Sequence, residues 1–470
     1  MTDHHRTARP HRRGRRSGSP STAKPGWRVW VSGTLLTVAI VFGGGGTPSP
    51  TPELVVELAA TVAIVVWAWL TGRDRQYPSP KVDRPLFVMA GIFVAIPVLQ
   101  LVPLPPWIWH HLPGRDVEIR ALALVDRANG WMPWSESPAR TVASALSLIP
   151  PIAMLFMVSR LRRRDQTILL AVIAALGLLA GIVGVIQLSS GNANWFRFYT
   201  VTEYGFATGF QANRNADADV LLIAAMALAA WVSIDDRIRR SRQLQLVLVV
   251  IFCFLTLSVV LTGSRAGVAL ILVVIVASGA MIANKIMLRN LRTCVVAGLV
   301  LAILGATFYS ITNNARVERT FDRFDRGAER RPEIWKDTVY AIGQHWPAGS
   351  GVGTFQPIFA AAERLEYVRP DFSNRAHNDY LEFVLEVGLV APVFLLAAAA
   401  FLMVRLREMV GDRASRERRA TASFVLGCFF VLVLHSLVDY PMRTMSLATI
   451  AGVLSGLLVR SERRSDWPHV

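Results

Sequence analysis

Arg375, His377, Asn378, Asp379, Tyr380 and Glu382 crowd into the run SNRAHNDYLE. The chain after it is apolar enough to enter a bilayer. His377 is the general-base candidate of this knot, because an imidazole exchanges protons near working pH. Asp379 and Glu382 are near enough in sequence to orient it, or to pair with arginines instead. A second pair, His435 and Asp439, lies four residues apart, which places both on one face of a helix. Metal ligation is the rival role for both histidines. Hard cations want paired carboxylates, and Asp217 with Asp219 is the one such spacing near the other groups. It reads mainly as helix N-terminal charge.

Arginines supply a different chemistry. A guanidinium presents a rigid two-pronged fork to phosphate oxygens. Arg265 in TGSRAG precedes the small residues Ala266 and Gly267, which permit close approach. It reads equally as a charge snorkelling to the membrane interface. Arg331 in RRPEIW is either an anion ligand or a solvated surface charge. The glycines of PAGSGVG lack the Lys-Ser/Thr that completes a phosphate-binding P-loop, so they read as a flexible turn. Cys253, Cys294 and Cys428 fall in apolar segments without metal or disulfide spacing, and read as packing residues.

These groups must be carried by membrane helices. The 470-residue chain is 53% hydrophobic. Its apolar blocks have the roughly 20-residue length that spans a bilayer. They lie near 27–44, 53–71, 85–104, 140–159, 167–188, 218–234, 243–262, 266–284, 293–311, 380–404, 420–438 and 444–460. Backbone polar groups in lipid must be satisfied within each segment, so the blocks are helices. The fold expected is an all-α polytopic membrane protein of about twelve transmembrane helices. The first block, behind Arg12, Arg13, Arg15 and Arg16, reads as an uncleaved signal anchor rather than a signal peptide.

The net charge of +17 does not signal nucleic-acid binding. With the N-terminus inside, the short basic loops all fall on one side. They are marked by Arg73, Arg160, Arg237, Lys285 and Arg405, with Arg460 at the end. This is the positive-inside pattern. GFQANRNADAD, TGSRAG, RRPEIW, AHNDYLE and HSLVDYPMR then all fall on the outer side. Ionisable residues near mid-span are nearly missing, which argues against a transporter with a midplane site.

In this order, Ser264–Gly267, Arg331 with Trp335, Pro347 to Gly353, and AHNDYLE…EVGL resemble the O-antigen ligase and polymerase family. HSLVDYPMR resembles the segment that follows in many members. The resemblance spans about 200–445. It implies a glycosyltransferase at the outer face of the inner membrane, moving a glycan from an undecaprenyl-diphosphate carrier to an acceptor hydroxyl. His377 would be the base, and Arg265 and Arg331 would hold the diphosphate. Asn213, Asn215, Asp379, Glu382, His435 and Asp439 would support them. The reaction would be inverting and would need no metal or cofactor. The partners implied are the lipid-linked glycan, a glycan or lipid-anchored acceptor, and membrane lipid. Arg214, between Asn213 and Asn215, departs from the family pattern, so its role is left open.

The domain expectation follows. Residues 1–26 form a disordered basic cytoplasmic tail, 27–311 carry helices one to nine, and 312–379 form a large folded periplasmic loop. Helices ten to twelve occupy 380–460, and 461–470 is a cytoplasmic tail. The alternative function is transport, or flipping, of lipid-linked sugars.

Overall fold

A computed structural model describes residues 26–46, 50–73, 83–190, 194–282, 330–368, 373–411 and 414–459. The expected span at 293–311, the basic tail, the start of the long loop and the last residues lie outside them. The described chain is all-α apart from one two-residue antiparallel pairing, β1 (Pro103–Leu104) with β2 (Met132–Pro133). The helices are α1 (Trp27–Phe42), α2 (Pro50–Arg73), α3 (Arg84–Gln100), α4 (Pro106–Trp109), α5 (Asp116–Ala123), α6 (Pro138–Leu146), α7 (Ile149–Ser159), α8 (Arg163–Ser189), α9 (Arg214–Ile234) and α10 (Asp236–Arg240). There follow α11 (Arg242–Leu261), α12 (Arg265–Ile282), α13 (Arg331–His345), α14 (Phe355–Ala362), α15 (Asp379–Val387), α16 (Val390–Val410), α17 (Arg416–His435) and α18 (Met445–Leu457).

Among the described residues, 8 segments are long and apolar enough to cross a membrane: α2, α6 with α7, α8, α9, α11, α12, α16 and α17. The chain is a polytopic membrane protein. Three expected spans are apolar but shorter: α1 has 16 residues, α3 17 and α18 13. Each stops where backbone turns are needed, as at Gly43 and at the Pro441–Arg443 3-10 turn. The expected span 380–404 is two helices, α15 and α16, broken at Gly388.

Helix α9 is the axis of the bundle. Residues 216–230 are buried without interruption, as expected of a helix apolar all round. It packs against α8, α11, α12 and α17. Small residues let the helices close in, which is how membrane helices gain packing without a hydrophobic drive between them.

Several helix ends meet at one end of the bundle. Ser446 N–H donates to Gly43 O (2.9 Å), Ala212 N–H to Gly44 O (3.1 Å) and Ala207 N–H to Leu261 O (3.3 Å). The Gln187 side chain at the end of α8 ties Thr208 and Gly209 there. Elsewhere the basic groups collect: Arg28 faces Arg160, Arg163 faces Glu417 and Arg418, and Arg239 faces Arg416. Buried Arg405 is paired with Asp83.

Candidate active site

The start of α15 is fixed by its cap. Asn378 accepts from Tyr380 N–H (3.0 Å) and Leu381 N–H (3.1 Å), satisfying donors the helix cannot. Its amide reaches Leu437 O (3.0 Å) on the turn after α17. His377, just before the cap, has φ +50°. A non-glycine residue held there is strained, and such strain concentrates at functional positions.

That backbone conformation aims the imidazole at the turn after α17. Nδ1 of His377 lies 3.2 Å from Asp439 Oδ1. The ring packs edge-on against Tyr440, with centroids 5.0 Å apart. Asp439 also accepts from Tyr440 N–H (3.0 Å) and from the Asn215 amide. Burial opposes ionisation of Asp439. The His377 hydrogen bond and charge, with Arg331 and His435 nearby, outweigh it and hold the carboxyl well below the usual carboxylate range. An ionised Asp439 can only accept, so Nδ1 of His377 carries a proton, and in the neutral ring the lone pair is then on Nε2. The His377 side chain is 26% exposed. Nε2 has no partner among the described residues.

A second buried histidine stands behind this pair. His435 Nδ1 lies 2.7 Å from Asp219 Oδ1, and both side chains are 1% exposed. A small cavity between the pairs is lined by Asn213, Asn215, Asp219, His435, Asp439 and Tyr440, among others. Asn213 donates to the Tyr440 hydroxyl (3.2 Å). Arg331 opens α13, and its charge acts on both Asp439 and His435. Its Nε is buried with no hydrogen-bond partner among the described residues.

Beside these lies a wholly different cluster. Asp379, Glu382 and Glu386 line one face of α15, at helical spacing. Arg443 approaches all three: Nη2 is 2.8 Å from Glu386, and Nε is 3.4 Å from Glu382 and 3.6 Å from Asp379. Arg375 pairs with Glu382 (2.9 Å) and donates to Gly46 O (3.2 Å). Burial pushes Asp379 up to about 7, with Arg443 opposing and Glu382 adding to the shift. Glu386 in turn accepts from Gly353 N–H (2.8 Å), while its backbone oxygen accepts from Gly351 N–H (2.9 Å) and the Gln100 amide (3.0 Å).

The PAGSGVG segment is therefore a docked clasp, not a flexible turn. Gly349, Gly351 and Gly353 all have positive φ. The clasp seats on Gly388, where an added Cβ would stand 2.0 Å from Pro347 O. The amides of Ser350, Gly351 and Gly353 are spent on α15, that of Gly349 on His345 O and that of Val352 on the Gln100 side chain, so none of these five is left to cradle a phosphate.

The structure thus brings His377, Asp439, Asn213, Asn215, His435 and Arg331 to one place. Asp379 and Glu382 do not touch His377; they belong to the arginines. The i, i+4 pairing of His435 with Asp439 does not form, because α17 ends at His435 and the following turn swings Asp439 toward His377. Asp219 is a partner of His435 rather than helix-end charge. Arg265 is exposed at the first position of α12, which is capped by Ser264. Two residues on, Gly267 packs against Ala218 of α9. Arg214 lies over Phe206 (4.2 Å) and 3.4 Å from Glu203. Sequence reasoning passed over Arg443 and read Asp219 as helix-end charge. The cost of a carboxylate inside an apolar segment was the signal for Asp219.

Among the described residues no group of three or more His, Cys, Asp or Glu converges as a metal-ligand set. Residues 247–396 match the O-Antigen ligase family model. The matched stretch is about a third of this membrane protein, and it is that stretch which is similar to O-antigen ligases. The match includes Arg265, Arg331 and His377, and ends before His435 and Asp439. No curated protein matches the chain.

Proposed function

We propose that this domain transfers a glycan from an undecaprenyl-diphosphate carrier to an acceptor hydroxyl, at the outer face of the cytoplasmic membrane. The carrying observation is the His377–Asp439 pair. It presents a basic nitrogen outward from a partly exposed ring, backed by a buried anion that is itself held by Asn215 and the Tyr440 backbone.

The donor is already activated, since diphosphate is a good leaving group. Nε2 of His377 removes the acceptor hydroxyl proton as that oxygen bonds to the anomeric carbon. The carbon–oxygen bond to phosphate breaks on the opposite side, which inverts the anomeric centre. The electron pair leaves with polyprenyl diphosphate. Arg331, with an unsatisfied buried Nε, and Arg265 stabilise the charge developing there. Asp439 stabilises the imidazolium. These residues provide the base and the electrostatics without a metal.

The topology belongs to the same proposal. The twelve spans expected from the sequence, of which 293–311 lies outside the described residues, would put both termini and the basic loops in the cytoplasm. His377, Asp439 and the loop 312–379 then face outward. Transport of lipid-linked sugars is the competing reading. The test is purified full-length protein in liposomes with a native polyprenyl-diphosphate glycan. A new glycosidic linkage, lost in His377→Ala, supports transfer. Movement of the lipid across the bilayer without a covalent product contradicts it.

A further inference from the structure

The transfer step uses His377 and Asp439 and leaves a second buried histidine unemployed. His435 and Asp219 are contributed by different helices, α17 and α9, 216 positions apart in sequence. Burying two ionisable groups inside a helical bundle is costly unless they pair, and it invites a functional reason. Their pairing is incomplete. One atom of each, His435 Nε2 and Asp219 Oδ2, is buried without a hydrogen-bond partner.

Both residues line the cavity whose other wall is Asp439. The cavity measures about 10 Å³, which is the room that one water molecule needs. Asn213, Asn215, Asp219, His435 and Asp439 are among the residues that line it, and two of them, His435 and Asp219, each have a buried atom still lacking a partner. It is far too small for a sugar. The charged groups that bear on His435 are Asp219 on α9, Asp439 on the turn after α17, and Arg331 on α13. His377 reaches it only through Asp439.

We infer that His435 and Asp219 form a positioning dyad, which holds Asp439 in line with His377 through a single water in this cavity. Asp219 fixes the tautomer and tilt of His435. His435 Nε2 anchors the water, and the water anchors Asp439 from the side away from His377. The dyad neither touches the substrate nor exchanges a proton with it. The inference rests on the reading of His377 as base.

The test uses full-length protein in liposomes with a native polyprenyl-diphosphate glycan, following release of polyprenyl diphosphate against pH. His435→Ala and Asp219→Asn should each lower kcat about tenfold or more, with the donor KM unchanged. The acid limb of the kcat/KM profile should move in both. His435→Gln, which keeps an amide at similar reach, should recover most of the loss. The double variant His435→Ala with Asp219→Asn should be no worse than either single one, since the two act as a unit. Wild-type turnover and profile in both single variants would overturn the inference. So would lost turnover that tracks a fall in unfolding temperature while the acid limb stays in place, since that is a structural role. If His377→Ala also transfers normally, the base assignment itself has failed, whatever His435 does.

Discussion

Two buried charge clusters lie within one helix turn of each other, and they are built to opposite ends. Asp379, Glu382 and Glu386 of α15 are clasped by Arg375 and Arg443. The clasp ties together the chain after α1, the glycine loop, α15 and the Pro441–Arg443 turn. It is a lock. In the other cluster His377 keeps one face open, and His435 Nε2, Asp219 Oδ2 and Arg331 Nε have no hydrogen-bond partner among the described residues, whereas Asp379 Oδ1 and Glu386 Oε2, also without hydrogen bonds, each face Arg443. Spare hydrogen-bonding capacity in a buried site is costly, so it marks where a substrate or solvent group is expected. The difference teaches that charge density alone does not locate the site. The lock holds three acids, Asp379, Glu382 and Glu386, against Asp219 and Asp439 in the other cluster.

The comparison can be broken from either side. The largest effect should come from the lock. Arg443→Met leaves three carboxylates facing Arg375 alone. Breaking a buried ion pair costs about 3–5 kcal/mol, so a sharp fall in unfolding temperature in detergent is expected. Gly388→Ala should come next. Its Cβ would collide with Pro347 O at a residue of φ +61°. A loss of at least about 1–3 kcal/mol should follow from the strained backbone, checked by the same thermal scan.

Asp439→Asn should act first on turnover, with a fall of about a hundredfold, and should lower the unfolding temperature less than Arg443→Met does. The wild-type carboxyl is held below its usual range, so the stability it adds is present above the unfolded value and lost only in strong acid. Acidification toward pH 5 should therefore leave Asp439 ionised.

The smallest effect concerns Asp379. Its folded value, about 7, lies above the unfolded one. The fold prefers the protonated form, so this contribution is complete below the usual carboxylate range and lost as pH rises toward and through 7. Asp379→Asn should flatten that part of the plot of unfolding temperature against pH, without changing the His377 reaction.

How much of this could be read from the chain depends on distance along it. The apolar blocks gave the helices, because span length is a local property. His377 was visible because an imidazole in a polar knot at the mouth of an apolar run is a local pattern too. Its partner was not. Asp439 lies 62 positions away, and its spacing from His435 suggested a helical pair that the end of α17 prevents. Asp219 was read as helix-end charge because its partner is on another helix. The break at Gly388 was hidden inside a continuous apolar run, and is fixed by the glycine loop that docks there. Residue types were legible; pairings between segments were settled by packing.

The central claim is that His377, not the acid-rich face beside it, is the working group. The direct measurement is turnover and unfolding temperature of His377→Ala, side by side with wild type, in the reconstituted transfer assay. Turnover should fall by about 10²–10⁴, in a protein that stays folded and still binds donor. Normal turnover in a folded His377→Ala protein would contradict it.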